Sequence, residues 1–317
     1  MSETEMSLDL PYCPPPGAII EIFAEEQSLA ADVVSALLEP FQPLREQFMA
    51  ITGLGLDIDA EGVDQSLRRL RTTPAGMMAQ PLSVLAAGHP DGARVIFIHG
   101  SPGLGEEWLP FLTDVPQGQL FLAPDRPGFG ESGDIPVTDL QAQADALVPL
   151  LGRQADAPVV LVGYSYGGPV ALRLAADHPD RVAGLLLIGA AADPGLEEIH
   201  PLQEIAALSF FEQLLPSELA SSNAELLQLR DGLEALADDL PDLHLPVIMA
   251  QGTDDNLVPA SNVDYLRAQL ATSPAAIMIE GADHFLPWSH PDLLVQALDC
   301  LLDDARIYAS GGAFPTR

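Results

Sequence analysis

The sequence predicts an α/β protein built on a doubly wound, mostly parallel sheet, and three observations support this prediction. From about residue 81 onward, short apolar runs alternate with amphipathic segments of helical spacing, which is the pattern of βαβ units. Most of the runs are continuous rather than alternating, as is typical of strands buried on both faces of a parallel sheet. Several runs also end directly in glycine-containing loops that carry polar side chains.

The predicted elements follow one another along the chain. The turn HPDG at 89–92 joins the first two predicted strands and indicates a hairpin, so the sheet is expected to open antiparallel. The predicted strands are 83–87, 93–98, 119–123, 158–163, 184–189, 246–251 and 275–280, and the predicted helices are 138–154, 167–178, 261–271 and 290–305.

Two regions break this alternation and divide the chain. Residues 1–74 form an N-terminal extension that is expected to be partly helical, because 18–40 has helix-like apolar spacing and a second helix is predicted around 59–72. Residues 193–243 form a helical insertion between two strands. The α/β core then comprises the two remaining segments, 75–192 and 244–317.

The charge of the chain narrows its possible partners. The sequence has 46 acidic and 13 basic residues, all of the latter arginine, for a formal net charge of −33. Such a surface repels phosphate backbones and anionic lipids, which counts against nucleic-acid and membrane-surface partners. No apolar run approaches the length of a membrane span. Salt adaptation and compositional bias both explain the acidity, and the sequence does not decide between them.

The two cysteines and the N-terminal sequence bear on the compartment. Cys13 and Cys300 lie near opposite ends of the chain, so no disulfide framework is expected, and neither has neighbours at metal-ligand spacing. Cys300 falls on an apolar helix face and is expected in the core. Because the N-terminus lacks a basic start followed by an apolar segment, no secretory leader is expected and a cytoplasmic location is predicted.

A serine marks the boundary between a strand pattern and a helix pattern in VVLVGYSYGGPVALRLA, residues 159–175. Gly163 and Gly167 lie two positions either side of Ser165, where they allow the strand and helix to approach closely around a tight turn. The Ser165 hydroxyl is then expected above the carboxyl end of the sheet, where open α/β folds bind their ligands.

A nucleophilic serine needs a base, and the base needs an orienting group. Two later strands end in GTDDNLVP (252–259) and GADHFLPW (281–288), at the same edge of the sheet as the serine. They supply two candidate acids, Asp254 and Asp255, and one candidate base, His284. The order serine, aspartate, histidine is the order in which this kind of scaffold presents a triad.

A third loop offers donors for an oxyanion. The strand 93–98 ends in HGSPG, in which Pro102 has no N–H, so the expected donors are the amides of Ser101 and of Tyr166, the residue after the serine.

Together HGSPG, DRPGFGES (125–132), GYSYGG, the DDNLVP stretch and GADHF resemble the α/β-hydrolases, in particular the lid-bearing group with an HG-x-P-G oxyanion loop. The resemblance covers roughly residues 75 to 306. It implies Ser165 as nucleophile, His284 as base and Asp255 as acid, with Asp254 as the alternative acid.

Other polar residues of these loops have structural interpretations. His99 is expected to pack the oxyanion loop, and Asp125 and Arg126 are expected to brace the DRPGFG turn internally, so Arg126 is not placed in the substrate pocket.

The resemblance implies that 193–243 forms a lid over an apolar substrate pocket. Within the lid, Leu215 and Leu219 are further candidate wall residues beside the main set. Because the chain is polyanionic, a small neutral, apolar ester is the expected substrate. The expected pocket residues are Trp108, Phe129, Phe210, Phe211, Leu214, Phe285 and Trp288.

The predicted function is that of a serine hydrolase, a carboxylesterase that works through an acyl-enzyme and needs no metal or organic cofactor. Hydrolysis of carbon–carbon or amide bonds, perhydrolysis and acyl transfer use the same triad and stay open, as does a receptor that keeps the fold. The extension is expected either to narrow the pocket or to form a homodimer contact.

Overall fold

A nine-stranded sheet organises the molecule. The computed structural model describes residues 10–23, 67–72, 81–133, 135–152, 159–197, 203 and 217–312. The strands are β1 Ile19–Phe23, β2 Arg68–Thr72, β3 Leu82–Gly88, β4 Ala93–Ile98, β5 Gln119–Pro124, β6 Val159–Tyr164, β7 Val182–Ile188, β8 Val247–Gly252 and β9 Ala275–Glu280. In spatial order they are β1-β9-β8-β7-β6-β4-β5-β3-β2. All neighbours are parallel except β2 with β3 and β3 with β5.

Helices cover both faces of this sheet. Because side chains alternate along a strand, Ile96 and Ile98 of β4 join one apolar core while Val95 and Phe97 join the other. The helices are α1 Leu109–Leu112, α2 Leu140–Leu147, α3 Gly167–Asp177, α4 Ser217–Leu226, α5 Leu229–Ala237, α6 Ser261–Gln269, α7 Leu286–Ser289 and α8 Pro291–Ala309. Helices α2, α3, α5 and α6 pack in the first core, and α1 and α8 in the second.

The predicted doubly wound α/β fold is confirmed, with one correction to its start. The HPDG turn connects β3 to β4, but these strands are not hydrogen-bonded to each other because β5 lies between them. The antiparallel start of the sheet instead comes from β3 pairing with β5 and with β2.

The N-terminal extension contributes strands where helices were predicted. Residues 19–23 form β1, which adds to the sheet edge in parallel with β9, and residues 68–72 form β2 on the opposite edge. The helical predictions for 18–40 and 59–72 are therefore wrong at these positions, because an open sheet edge supplies backbone partners that a local apolar period does not reveal. The remainder of both predicted helices lies outside the described residues.

A disulfide joins the start of the chain to its last helix, contrary to the prediction from the sequence. Cys13 and Cys300 are bonded, with 5.4 Å between their Cα atoms. Their separation of 287 residues is bridged because β1 pairs with β9, which directly precedes α7 and α8. The Leu10 amide also donates to Gln296 Oε1 of α8 at 2.7 Å. Since disulfides are rare in cytosolic proteins, this bond weighs against the predicted cytoplasmic location.

None of the helices in the part of the chain that the structure describes is both long and apolar enough for a bilayer crossing.

Candidate active site

Ser165 lies on a strained turn between β6 and α3. Its φ of 52° makes it the one non-glycine residue with a positive φ among those described. Such a conformation costs energy and is found where the surrounding structure enforces it, often at functional sites. Two backbone bonds fix it, since the Ser165 amide donates to Ile188 O at 2.9 Å and the Gly168 amide donates to Ser165 O at 3.0 Å.

The glycines around Ser165 are needed for close packing. A Cβ on Gly163 would lie 2.5 Å from Gly167 O, and one on Gly167 would lie 2.7 Å from His99 O and overlap Ile98 O. A Cβ on Gly100 would lie 3.1 Å from Ser165 Cβ. The turn that carries Ser165 therefore packs directly on the HGSPG loop.

His284 and Asp255 form a buried hydrogen-bonded pair. His284 Nδ1 lies 2.7 Å from Asp255 Oδ2, and both side chains are almost fully enclosed. Asp255 Oδ1 accepts the amides of Leu257 at 2.9 Å and Val258 at 2.8 Å, while Gln251 Nε2 donates to Oδ2 at 3.0 Å. Because Asp255 is held as an acceptor, Nδ1 of His284 is the donor and Nε2 is left with the lone pair of a base.

The ends of β6 and β7 connect this pair to the serine. Ile188 O of β7 binds the Ser165 amide, and a Cβ on the next residue, Gly189, would lie 3.2 Å from His284 Nδ1. The ring of Tyr164, the residue before the serine, lies 5.0 Å from the His284 ring. Serine, histidine and aspartate thus lie at one edge of the sheet.

The geometry favours Asp255 over Asp254 as the orienting acid. Asp254 is exposed, and its carboxylate accepts a long bond from Thr253 Oγ1 at 3.4 Å. Asp255 is buried and contacts the histidine.

His99 has the structural role expected from the sequence. Nδ1 donates to Gly100 O at 2.8 Å, while Nε2 accepts the Arg126 amide at 2.8 Å. Burial, and secondly the positive charge of Arg126, lower the pKa of His99 well below its usual value. The ring is therefore neutral and holds the HGSPG loop in place.

Arg126 does more than brace its own turn. Its Nε donates to His99 O at 3.0 Å and its Nη2 to Gly100 O at 2.7 Å. The guanidinium also forms a bidentate ion pair with Glu225 of α4, at 2.9 and 2.8 Å. Both side chains are buried. The sequence did not indicate this link between the loop and the insertion.

The predicted pocket residues divide into four groups. The Phe285 ring lies 5.9 Å from that of His284, and Trp288 packs against Tyr164 and Phe285 beside it. Trp108 is buried against Phe97 and Phe111, and Phe129 is buried against His99 and Arg126. Because of this packing, both are core residues. Leu219 is buried on α4. Phe210, Phe211, Leu214 and Leu215 lie outside the described residues.

Four residues of the site went unrecognised in the sequence. Tyr164 is part of GYSYGG and could have been noted there, and Gln251 is the penultimate residue of β8, the strand before Asp255. Ser222 and Glu225 lie on an insertion helix and had no distinguishing signal.

Among the described residues, no group of three or more His, Cys, Asp or Glu side chains is arranged to hold a metal ion.

Comparison with known proteins assigns the family. A model of the alpha/beta hydrolase family matches residues 95–297, and the chain belongs to this family. It is 29% identical over 245 residues, 66% of this chain and 92% of the relative, to a pimeloyl-[acyl-carrier protein] methyl ester esterase of Photorhabdus laumondii. It is 28% identical over 258 residues, 65% of this chain and 90% of the relative, to a non-heme chloroperoxidase of Streptomyces lividans.

A solved structure supports the same fold. A thermophilic esterase from Thermogutta terrifontis is 23% identical, with a TM-score of 0.61 covering 75% of this chain and 99% of that chain. The family and these relatives support a hydrolase, and they are consistent with ester hydrolysis.

Proposed function

We propose that the protein is a serine carboxylesterase with Ser165 as nucleophile, His284 as general base and Asp255 as the group that orients the base. The observation that carries this proposal is the buried 2.7 Å contact between His284 Nδ1 and Asp255 Oδ2, beside a serine in the left-handed conformation. With its hydrogen on Nδ1, the imidazole of His284 accepts a proton through Nε2.

The reaction follows from these roles. Ser165 Oγ attacks the ester carbonyl carbon while His284 Nε2 takes its proton, and the imidazolium is stabilised by Asp255. The amides of Ser101 and Tyr166 bind the oxyanion of the tetrahedral intermediate. Its collapse breaks the bond to the alcohol, which leaves with the proton from His284, and an acyl-enzyme remains. Water, deprotonated by His284, then releases the carboxylic acid and regenerates the serine.

A neutral ester with an apolar acyl chain is the substrate class we infer. The net charge of −33 disfavours anionic substrates and helps to expel a carboxylate product. The aromatic rings of Phe285 and Trp288 beside the histidine supply apolar surface. The Photorhabdus relative is named for the cleavage of a methyl ester, which agrees with ester chemistry at this site.

Perhydrolysis is a second candidate, because one relative is a non-heme chloroperoxidase. In that reaction hydrogen peroxide takes the place of water in attacking the acyl-enzyme, and a peracid leaves instead of an acid. The triad is the same, so the two activities differ only in the second nucleophile.

The experiment is hydrolysis of p-nitrophenyl esters from acetate to laurate by the wild type and by Ser165→Ala. We expect a clear wild-type rate that the variant loses while keeping its circular dichroism spectrum. A rate that survives in the variant would show that Ser165 is not the nucleophile. Adding hydrogen peroxide and measuring peracid separates the second candidate from the first.

A further inference from the structure

A buried polar cluster joins the insertion to the loop that carries Ser101. We call it the insertion–loop cluster. On α4, Ser222 and Glu225 are spaced three residues apart, so they lie on the same face of the helix, and each is 1% exposed. Polar side chains this deeply buried are costly unless they are bonded. The members of the cluster are Ser101, Arg126, Gln143, Ser222 and Glu225.

Arg126 is the centre of this cluster. Its guanidinium donates to the carbonyls of both His99 and Gly100 and pairs with both oxygens of Glu225. Its Cζ atom also lies over two aromatic rings, 4.8 Å from the Phe129 centroid and 4.7 Å from that of Tyr166. Arg126 therefore contacts both loops that carry the proposed oxyanion donors, through Gly100 next to Ser101 and through the ring of Tyr166.

The bond to Gly100 O has a direct consequence for the Ser101 amide. Gly100 C=O and Ser101 N–H belong to one planar peptide group, in which the carbonyl and the N–H point in opposite directions. Arg126 Nη2 at 2.7 Å and His99 Nδ1 at 2.8 Å hold the carbonyl from one side. Fixing that carbonyl fixes the direction of the Ser101 N–H on the other side.

Glu225 in turn holds Arg126. A guanidinium at 0% exposure requires a counter-charge, and Glu225 at 1% supplies it with two hydrogen bonds. Gln143 Nε2 donates to Glu225 Oε2 at 3.2 Å. A second link runs parallel to the ion pair, since Ser101 Oγ donates to Ser222 Oγ at 2.9 Å. Both connections between the loop and the insertion pass through α4.

We infer that Arg126 is a positioning residue that orients the Ser101 amide for the oxyanion, and that Glu225 keeps it in place only while α4 is docked on the loop. Docking of the insertion and completion of the oxyanion hole are then one event. This inference rests on the proposed serine hydrolase function.

The first test is Glu225→Gln, with Glu234→Gln on the exposed face of α5 as the matched control. Active sites are counted with a fluorophosphonate, and kcat and KM are measured for a p-nitrophenyl ester. Because a displaced oxyanion donor acts on the transition state, kcat per active site should fall roughly 10- to 100-fold while KM changes less than about threefold. The control should match the wild type.

Two further variants separate positioning from folding. The double variant, Arg126→Met together with Glu225→Leu, removes both buried charges at once. Because other proteins tolerate the replacement of a whole buried ion pair by apolar residues, this variant is expected to fold. Arg126→Lys keeps a charge for Glu225 but cannot bind two carbonyls in a fixed plane. Both variants should keep a cooperative thermal transition, and both should show a kcat as low as that expected for Glu225→Gln.

The outcomes are distinguishable. Wild-type kcat in the folded double variant, or equal kcat in Glu225→Gln and Glu234→Gln, would overturn the positioning role and leave the proposed function intact. A wild-type protein that neither reacts with the fluorophosphonate nor hydrolyses esters would overturn both. A rise in KM with unchanged kcat would assign the cluster to substrate binding instead, against this inference.

Discussion

Replacing Asp255 by asparagine tests the proposed orienting acid with the smallest change of shape. The carboxylate accepts four hydrogen bonds, from the Leu257 and Val258 amides at Oδ1 and from Gln251 Nε2 and His284 Nδ1 at Oδ2. Asparagine has only one oxygen. If that oxygen accepts the hydrogen bonds of the two backbone amides, the NH2 group faces His284 and donates a hydrogen bond to Nδ1.

That reversal moves the proton of the imidazole to the wrong nitrogen. With Nδ1 as acceptor, the neutral ring carries its hydrogen on Nε2 and is unable to take the proton of Ser165. In serine proteases the corresponding change lowers kcat about 10⁴-fold. At 1.36 kcal/mol per factor of ten, this is about 5.5 kcal/mol of transition-state stabilisation. Loss of charge-assisted hydrogen bonds should also lower the free energy of unfolding by about 1.5–3 kcal/mol.

The assay is p-nitrophenyl ester hydrolysis below the pH at which hydroxide attacks the substrate directly, together with urea unfolding. Asp254→Asn is the matched control, because Asp254 is the adjacent, exposed carboxylate and should leave kcat within about twofold of the wild type, as surface changes usually do. A near-normal kcat in Asp255→Asn, or a large loss in Asp254→Asn, would refute the reasoning.

Three other changes have expected outcomes. Replacing Cys13 and Cys300 by alanine should lower the free energy of unfolding by about 2–4 kcal/mol in a urea titration, and the wild type denatured without reductant should show no reactive thiol with a thiol reagent; two reactive thiols would contradict the bond. Gly167→Ala places a Cβ against Ile98 O, so it should cost roughly 1–3 kcal/mol of stability and most of the esterase activity, and unchanged kinetics would be evidence against the tight turn. Burial raises the pKa of Glu197 to about 7 from 4.5, so the folded state holds a proton that the unfolded chain has released. The unfolding free energy should therefore fall as pH rises from about 4.5 to 7 and level off above, and Glu197→Gln should remove that slope; an identical pH profile in the variant would exclude Glu197 as its source.

The core of the fold and the positions of Ser165, Asp255 and His284 could be read from the sequence because their signals are local. An apolar run that ends in a glycine turn specifies both a buried strand and the loop at its end, and parallel strands bring those loops to one edge. Trp108 shows the limit of such reasoning, since its place beside a catalytic-side loop did not reveal that its ring packs in the core.

The features that escaped prediction depend on contacts between distant parts of the chain. A strand such as β1 exists because β9 offers an open edge, and its five residues alone are compatible with a helix. The Cys13–Cys300 bond follows from that pairing. Glu225 is 99 residues from Arg126, on a helix whose other acidic side chain, Glu218, is exposed, so nothing in the sequence separates the two.

The central claim, that Ser165 is the nucleophile of a hydrolase, is tested most directly by locating a covalent adduct. The protein is treated with a fluorophosphonate, digested and analysed by tandem mass spectrometry while residual esterase activity is followed. We predict one phosphonyl group per chain, on Ser165, formed in step with the loss of activity, and no adduct on His284→Ala at the same exposure because the serine then lacks its base. Inactivation with the adduct on another residue, or full labelling of Ser165 with activity retained, would contradict the claim.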